Sequence, residues 1–113
     1  LATGNLSEAE RCFSKALARG LELQMEPLCV YALIGTACVD VARRDDTRAA
    51  DLYVFARDHP STTPVYMDQA ERWFDELKTR LTEDEFATAE TRMEGRDLEG
   101  IARNVLAERI NQG

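Results

Sequence analysis

The sequence is poor in the side chains that most often carry chemistry. One histidine occurs in 113 residues, and no Cys-x-x-Cys pair occurs among the three cysteines. A single imidazole excludes a multi-histidine zinc site and leaves no second ring for relay chemistry. Basic side chains are also scarce: fourteen Lys and Arg face twenty-one Asp and Glu, for a formal net charge of −7. Proteins hold polyanions by releasing counterions to Lys and Arg, so nucleic acid and acidic membrane surfaces are not expected partners. No signal-peptide pattern occurs, and the longest apolar stretch, Pro27 to Ala42, is too short for a membrane span and contains Thr36 and Asp40. No run alternates as a strand does, and no turn dipeptide separates two β-branched stretches. The expected fold is all-α.

Apolar residues make up 44% of the chain, enough for one domain of this size to bury a core without metals or disulfides. Cys12, Cys29 and Cys38 each sit among apolar residues and read as buried, reduced thiols, which places the protein in the cytoplasm. Cys29 and Cys38 are nine residues apart, on opposite sides of one helix, and so cannot share a metal or a disulfide.

Six helices are expected. The first runs from about Leu6 to Arg19, capped by Asn5 with Glu8 three residues on, and ends at Gly20. Its apolar face is Leu6, Ala9, Phe13, Ala16 and Leu17. The second, about Pro27 to Arg43, is apolar on nearly every side and must be covered on both flanks. A polar turn at Arg43 to Asp46 leads to a third helix ending near Asp58. The stretch His59-Pro60-Ser61-Thr62-Thr63-Pro64 resets direction, with Thr63 as cap and Pro64 in the first turn of the fourth helix. Tyr66, Ala70, Trp73, Phe74, Leu77 and Leu81 form that helix's stripe, whose spacing places the aromatics in the core first. Thr82 and Glu85 make a capping box for a fifth helix, which Gly95 ends. Asp97 caps a sixth, with Leu98, Ile101, Ala102, Val105, Leu106 and Ile110 on its apolar face; the closing Asn-Gln-Gly is expected to fray.

The stretch Gly4-Asn5-Leu6-Ser7-Glu8-Ala9-Glu10-Arg11-Cys12-Phe13-Ser14-Lys15-Ala16-Leu17 resembles the second helix of a tetratricopeptide repeat and the turn before it. The resemblance implies that Ala9 and Ala16 let two helices approach closely and that Phe13 fills the gap between them. A weaker copy, Asp46-Thr47-Arg48-Ala49-Ala50, follows 41 residues later, longer than the usual repeat of about 34. Together with Arg48-Ala49-Ala50-Asp51-Leu52, Asp58-His59-Pro60-Ser61-Thr62 and Glu94-Gly95-Arg96-Asp97-Leu98-Glu99, this layout resembles the C-terminal end of bacterial regulators with a STAND-type ATPase domain, often also bearing a LuxR-type DNA-binding domain. The resemblance implies a right-handed solenoid of stacked antiparallel hairpins, with residues 1–58 as repeats and 59–113 as a helical cap of the same domain. It also implies that a ligand or partner is sensed by the array while ATP and DNA are handled elsewhere, since this chain has no GxxxxGK[ST] loop and no recognition-helix module.

The chain opens on Leu1 inside an interrupted repeat and reads as a piece of a longer protein. The first repeat has lost its first helix, so Leu6, Phe13 and Leu17 are expected to lack their neighbour and to drive self-association or find a substitute.

No residue constellation calls for an enzyme or a cofactor. Asp58, His59 and Ser61 flank a proline, where three adjacent residues rarely reach triad geometry. Asp45-Asp46 and Glu83-Asp84-Glu85 stand at helix starts, where the helix dipole favours carboxylates, and neither has EF-hand spacing. Gly95 to Gly100 lacks the strand that a dinucleotide loop needs. The expected function is non-enzymatic binding of a protein or peptide in a groove supplied largely by the second helix; the alternative is a small-molecule inducer coupled to a distant ATPase. Tyr31 and Asp40 on that helix are the candidate contacts. Asp40 is costly to bury unpaired, and Arg43 and Arg44, three and four residues on, are its expected local partners.

Overall fold

The computed structural model describes residues 5–112, with side-chain surroundings through residue 108. The Gly4 turn, the side chain of Ile110 and the terminal Gly113 lie outside the described residues. Within them the protein is all-helical: α1 (Leu6–Leu23), α2 (Glu26–Ala42), α3 (Asp46–Asp58), α4 (Pro64–Arg80), α5 (Glu83–Met93) and α6 (Leu98–Gln112). Asn111 and Gln112, expected to fray, continue α6.

Local chemistry sets most of the boundaries. Asn5 Oδ1 accepts the Glu8 amide at 3.2 Å, and Glu8 answers through the Asn5 side-chain amide rather than its backbone. Asp45 caps α3, Thr82 and Glu85 form the full capping box of α5, and Asp97 Oδ1 accepts the Gly100 amide at 2.7 Å to start α6. Pro64 occupies the first turn of α4, but Thr63 makes no side-chain cap bond; the neighbouring Thr62 hydroxyl instead donates to the Ala56 carbonyl.

The end of α1 departs from expectation. Gly20 does not stop the helix: it is buried inside it, and a Cβ there would lie 2.7 Å from Cys29 Sγ and 3.1 Å from the Cys29 backbone nitrogen. Its job is close approach of α1 to α2. The turn falls four residues later, where Gln24 takes a left-handed φ of 55° and the Met25 amide donates back to the Gly20 carbonyl at 2.8 Å. The end of α2 repeats the device with Arg44 at φ 63° and the Asp45 amide on the Asp40 carbonyl at 2.9 Å.

Helix α2 is the axle. From Cys29 to Val41 every residue is buried except Tyr31, because α1, α3, α4 and α6 all pack against it. Helices α1–α2 and α2–α3 are adjacent pairs, α4 lies beside α2, and α5 beside α3. Ion pairs join α5 to α3 at Arg92–Asp51 (2.6 Å) and Arg57–Glu90 (2.9 Å), and Arg80 of α4 donates to the Val41 carbonyl at 2.9 Å.

The last helix returns to the first. Helix α6 packs on α1 and α2, and its Glu108 pairs with Arg48 of α3. Leu17, expected to have lost its cover, is fully buried, while Leu6 and Phe13 are half-buried. Helix α6 packs on α1, and of the three residues expected to lack a neighbour Leu17 has found cover within the core while Leu6 and Phe13 keep part of their surface open. The principal extents are 36 × 35 × 29 Å.

Candidate functional site

Tyr31 is the one residue in the buried run of α2 whose ring reaches the surface, and it does so among aromatics from two other helices. Tyr66 of α4 lies 4.8 Å from it, centroid to centroid, and Phe13 of α1 meets it edge-on at 5.9 Å. Trp73, two turns along α4 from Tyr66, completes the wall at 8% exposure. Ile34, Gly35, Cys38 and Ala70 form the floor and Gln69 the rim of a slot of about 160 Å³. The geometry follows from spacing: Tyr31, Gly35 and Cys38 lie on one face of α2, and Tyr66, Gln69, Ala70 and Trp73 on one face of α4. Burial pushes the Cys38 thiol up to about 12, so the floor of the slot is neutral.

Asp40 is not part of this surface. It is nine residues from Tyr31, on the opposite side of α2, and only 1% exposed. Of the two candidate contacts, Tyr31 reaches the surface and the Asp40 carboxylate is buried away from it. Arg43 reaches α1, donating to Glu10 at 2.8 Å and to Ser7 at 3.4 Å. Arg44 is exposed in its left-handed turn.

A second concavity of about 740 Å³ lies between the α1–α2 turn and the start of α6, lined by Met25, Glu26, Cys29, His59, Leu98 and Arg103 among others. Here Cys29 and His59 come together, while Cys38 faces the aromatic slot, so the two thiols do stand on opposite sides of α2. Burial also raises the Cys29 thiol. Cys12 differs from the reading of three buried thiols: it is exposed, because it falls off the edge of the α1 stripe.

His59 Nδ1 accepts the Ser61 backbone amide at 3.0 Å, and its Nε2 stands 3.7 Å from Glu26. The Ser61 hydroxyl points to Glu26 at 3.4 Å, and Asp58 is held by Arg57 at 3.0 Å. This hydrogen bond keeps the Asp58 carboxyl below its ordinary range. His59 and the Ser61 hydroxyl both turn toward Glu26 while Asp58 is held by Arg57, so the three do not line up as an Asp–His–Ser relay. The acidic clusters serve helix starts: Asp45 caps α3, and Glu83, Asp84 and Glu85 fill the first turn of α5. Among the described residues, no group of three or more His, Cys, Asp or Glu side chains is placed to hold a metal ion, and no helix is long and apolar enough to cross a membrane.

Sequence reasoning weighed a pocket of Tyr66, Trp73 and Phe74 against the core and missed that Phe13 and Tyr31 join Tyr66 and Trp73 there while Phe74 does not. The usable signal was Gly35 in the middle of an otherwise bulky apolar helix: a missing side chain there admits the Phe13 ring. Phe74, adjacent to Trp73, turns the other way to pack on Tyr53 at 4.5 Å. Comparison with protein-family models, curated proteins and solved structures finds no match to this chain.

Proposed function

We propose that the chain is a non-enzymatic interaction module that binds a protein or peptide through the aromatic slot between α1, α2 and α4. The observation that carries the reading is Tyr31: in the stretch of α2 from Cys29 to Val41, otherwise sealed into the core, this one ring reaches the surface and is met by Tyr66 and Phe13. Exposed aromatics in a concavity are the usual anchors of interfaces. Size decides the kind of occupant, because pockets for free small molecules run from about 300 to 1,000 Å³. A slot of about 160 Å³ takes one side chain of a larger partner.

The contacts of α2 with α4 and of α3 with α5 support a short, right-handed tetratricopeptide-like array, with α6 as its cap. On that reading the module belongs to a cytoplasmic bacterial regulator of the STAND or LuxR type, and the partner it holds governs domains elsewhere in the full protein. The net charge of −7 favours partners other than nucleic acid. The test is a random peptide library selected on the chain. Enriched peptides should compete with one another and lose binding to Tyr31→Ala/Tyr66→Ala, whose melting must show a folded protein; peptides that bind this variant equally well would refute the slot.

The cleft beside His59 carries the second reading, a small-molecule inducer. Its volume of about 740 Å³ lies within the range of ligand pockets. An inducer held there should shift the imidazole resonances of His59, the only histidine, and leave those of Tyr31 in place.

A further inference from the structure

We propose that the aromatic slot recognises an organic cation, the guanidinium or ammonium group of an Arg or Lys side chain presented by the partner. The proposal rests on the slot being the recognition surface and names what enters it.

Three observations converge. The walls are the rings of Phe13, Tyr31, Tyr66 and Trp73, and among the described residues no charged side chain lines the slot. Aromatic faces are negative at their centres and attract cations that have shed water, which a narrow slot enforces. The chain already uses this chemistry on its own residues: Arg72 lies 5.2 Å over the Trp73 ring, and Arg57 and Lys78 each lie 5.6 Å over Tyr53.

The charge around α4 acts in the same direction. Along α4 itself, four carboxylates (Asp68, Glu71, Asp75 and Glu76) stand with three basic side chains, one of which, Arg80, is taken up by Asp46 of α3, and the whole chain carries a net charge of −7. The balance along α4 and over the whole chain is acidic, which favours a basic segment over an acidic one. Arg72 is the fixed positive charge against the wall, and it has Asp68 and Glu76 one helical turn to either side.

Trp73 is the only tryptophan, so its fluorescence reports the slot directly. The probes are N-acetyl-arginine amide and N-acetyl-lysine amide, compared with the uncharged N-acetyl-norleucine amide, and tetramethylammonium as a free cation without a peptide backbone. The expected result is saturable perturbation of Trp73 by the arginine and lysine amides, tighter than norleucine by about tenfold, in line with partly desolvated cation–π contacts. Tetramethylammonium should bind more weakly than either. Tyr31→Leu and Tyr66→Leu, which keep apolar bulk, should abolish the preference for charge while retaining the fold in a thermal melt. Arg72→Gln should tighten cation binding severalfold.

Equal binding of norleucine and arginine amides would overturn the cation while leaving an apolar anchor slot and the interaction-module reading intact. Tetramethylammonium binding more tightly than the amino-acid amides would overturn the partner's side chain as the source in favour of a free ammonium ligand. If no probe perturbs Trp73 at millimolar concentration while library peptides still depend on Tyr31 and Tyr66, the cation is likewise overturned and the module reading survives.

Discussion

Phe13 of α1 occupies the space that a side chain at Gly35 of α2 would need. A Cβ built on Gly35 would sit 2.5 Å from Phe13 Cδ1 and closer still to Cε1 and Cζ. In a free helix Gly→Ala gains about 1 kcal/mol, whereas overpacking a filled site costs about 1–3 kcal/mol. Gly35→Ala is therefore expected to destabilise the protein. In a Phe13→Ala background, where the ring is gone, the same change should stabilise it by up to about 1 kcal/mol. Urea unfolding of the four proteins in this cycle provides the check, and a stabilising Gly35→Ala in the parent would contradict the packing.

Gly20 and Gln24 hold each other's expected roles at the end of α1. Gly20→Ala should cost about 1–3 kcal/mol, because its Cβ meets the backbone of Cys29 as well as its sulfur, and backbone cannot swing aside. Gln24→Gly should instead stabilise by roughly 1 kcal/mol, by relieving a left-handed conformation in a residue with a Cβ. Thermal melts of the two single variants should move in opposite directions.

Cys38 predicts a specific pH response. Its ordinary thiol value of 9.0 is raised to about 12 by burial, so the folded state holds this proton more tightly than the unfolded one. The resulting stability is fully present below pH 9 and is lost as pH rises toward 12. Cys38→Ala should be less stable near neutral pH because of the cavity, yet lose less stability than the parent between pH 9 and 12. In native protein at pH 8, iodoacetamide should label exposed Cys12 well before Cys29 or Cys38.

Val105, 6% exposed on α6 and lining a small cleft with Leu52 of α3 and Met93 of α5, tests the seating of α6 on the body. Val105→Asp should cost about 3 kcal/mol or more by burying an unpaired charge. If it releases α6 while the rest stays folded, the α1 and α2 surfaces beneath it are bared and the variant should associate more strongly than the parent as concentration rises. Light-scattering mass across a concentration series, paired with circular dichroism, separates release of α6 from global unfolding.

The helices were legible because their signals are local. Asn5, Asp45, Pro64, Thr82 and Asp97 stand at or beside the starts that the sequence announced. The end of α1 was not, since glycine at a close approach and glycine at a helix stop look alike until the neighbouring helix is known. Likewise the all-round apolar pattern of α2 demanded cover without saying which helix supplies it. Tyr31 and Asp40 illustrate the same limit within one element: nine residues of spacing put them on opposite faces, but only the packing of α4 on one side and the burial of Asp40 distinguish surface from core.

The return of α6 to the body has a consequence for the order in which the chain acquires structure. Neighbouring pairs such as α1–α2 close short loops, whereas the Arg48–Glu108 contact joins residues 60 positions apart, and loop closure costs more entropy as the loop lengthens. On a ribosome, α6 also emerges after every helix it covers. Until then the surfaces of α1 and α2 that α6 packs on remain wet, and apolar surface bared in this way is open to association.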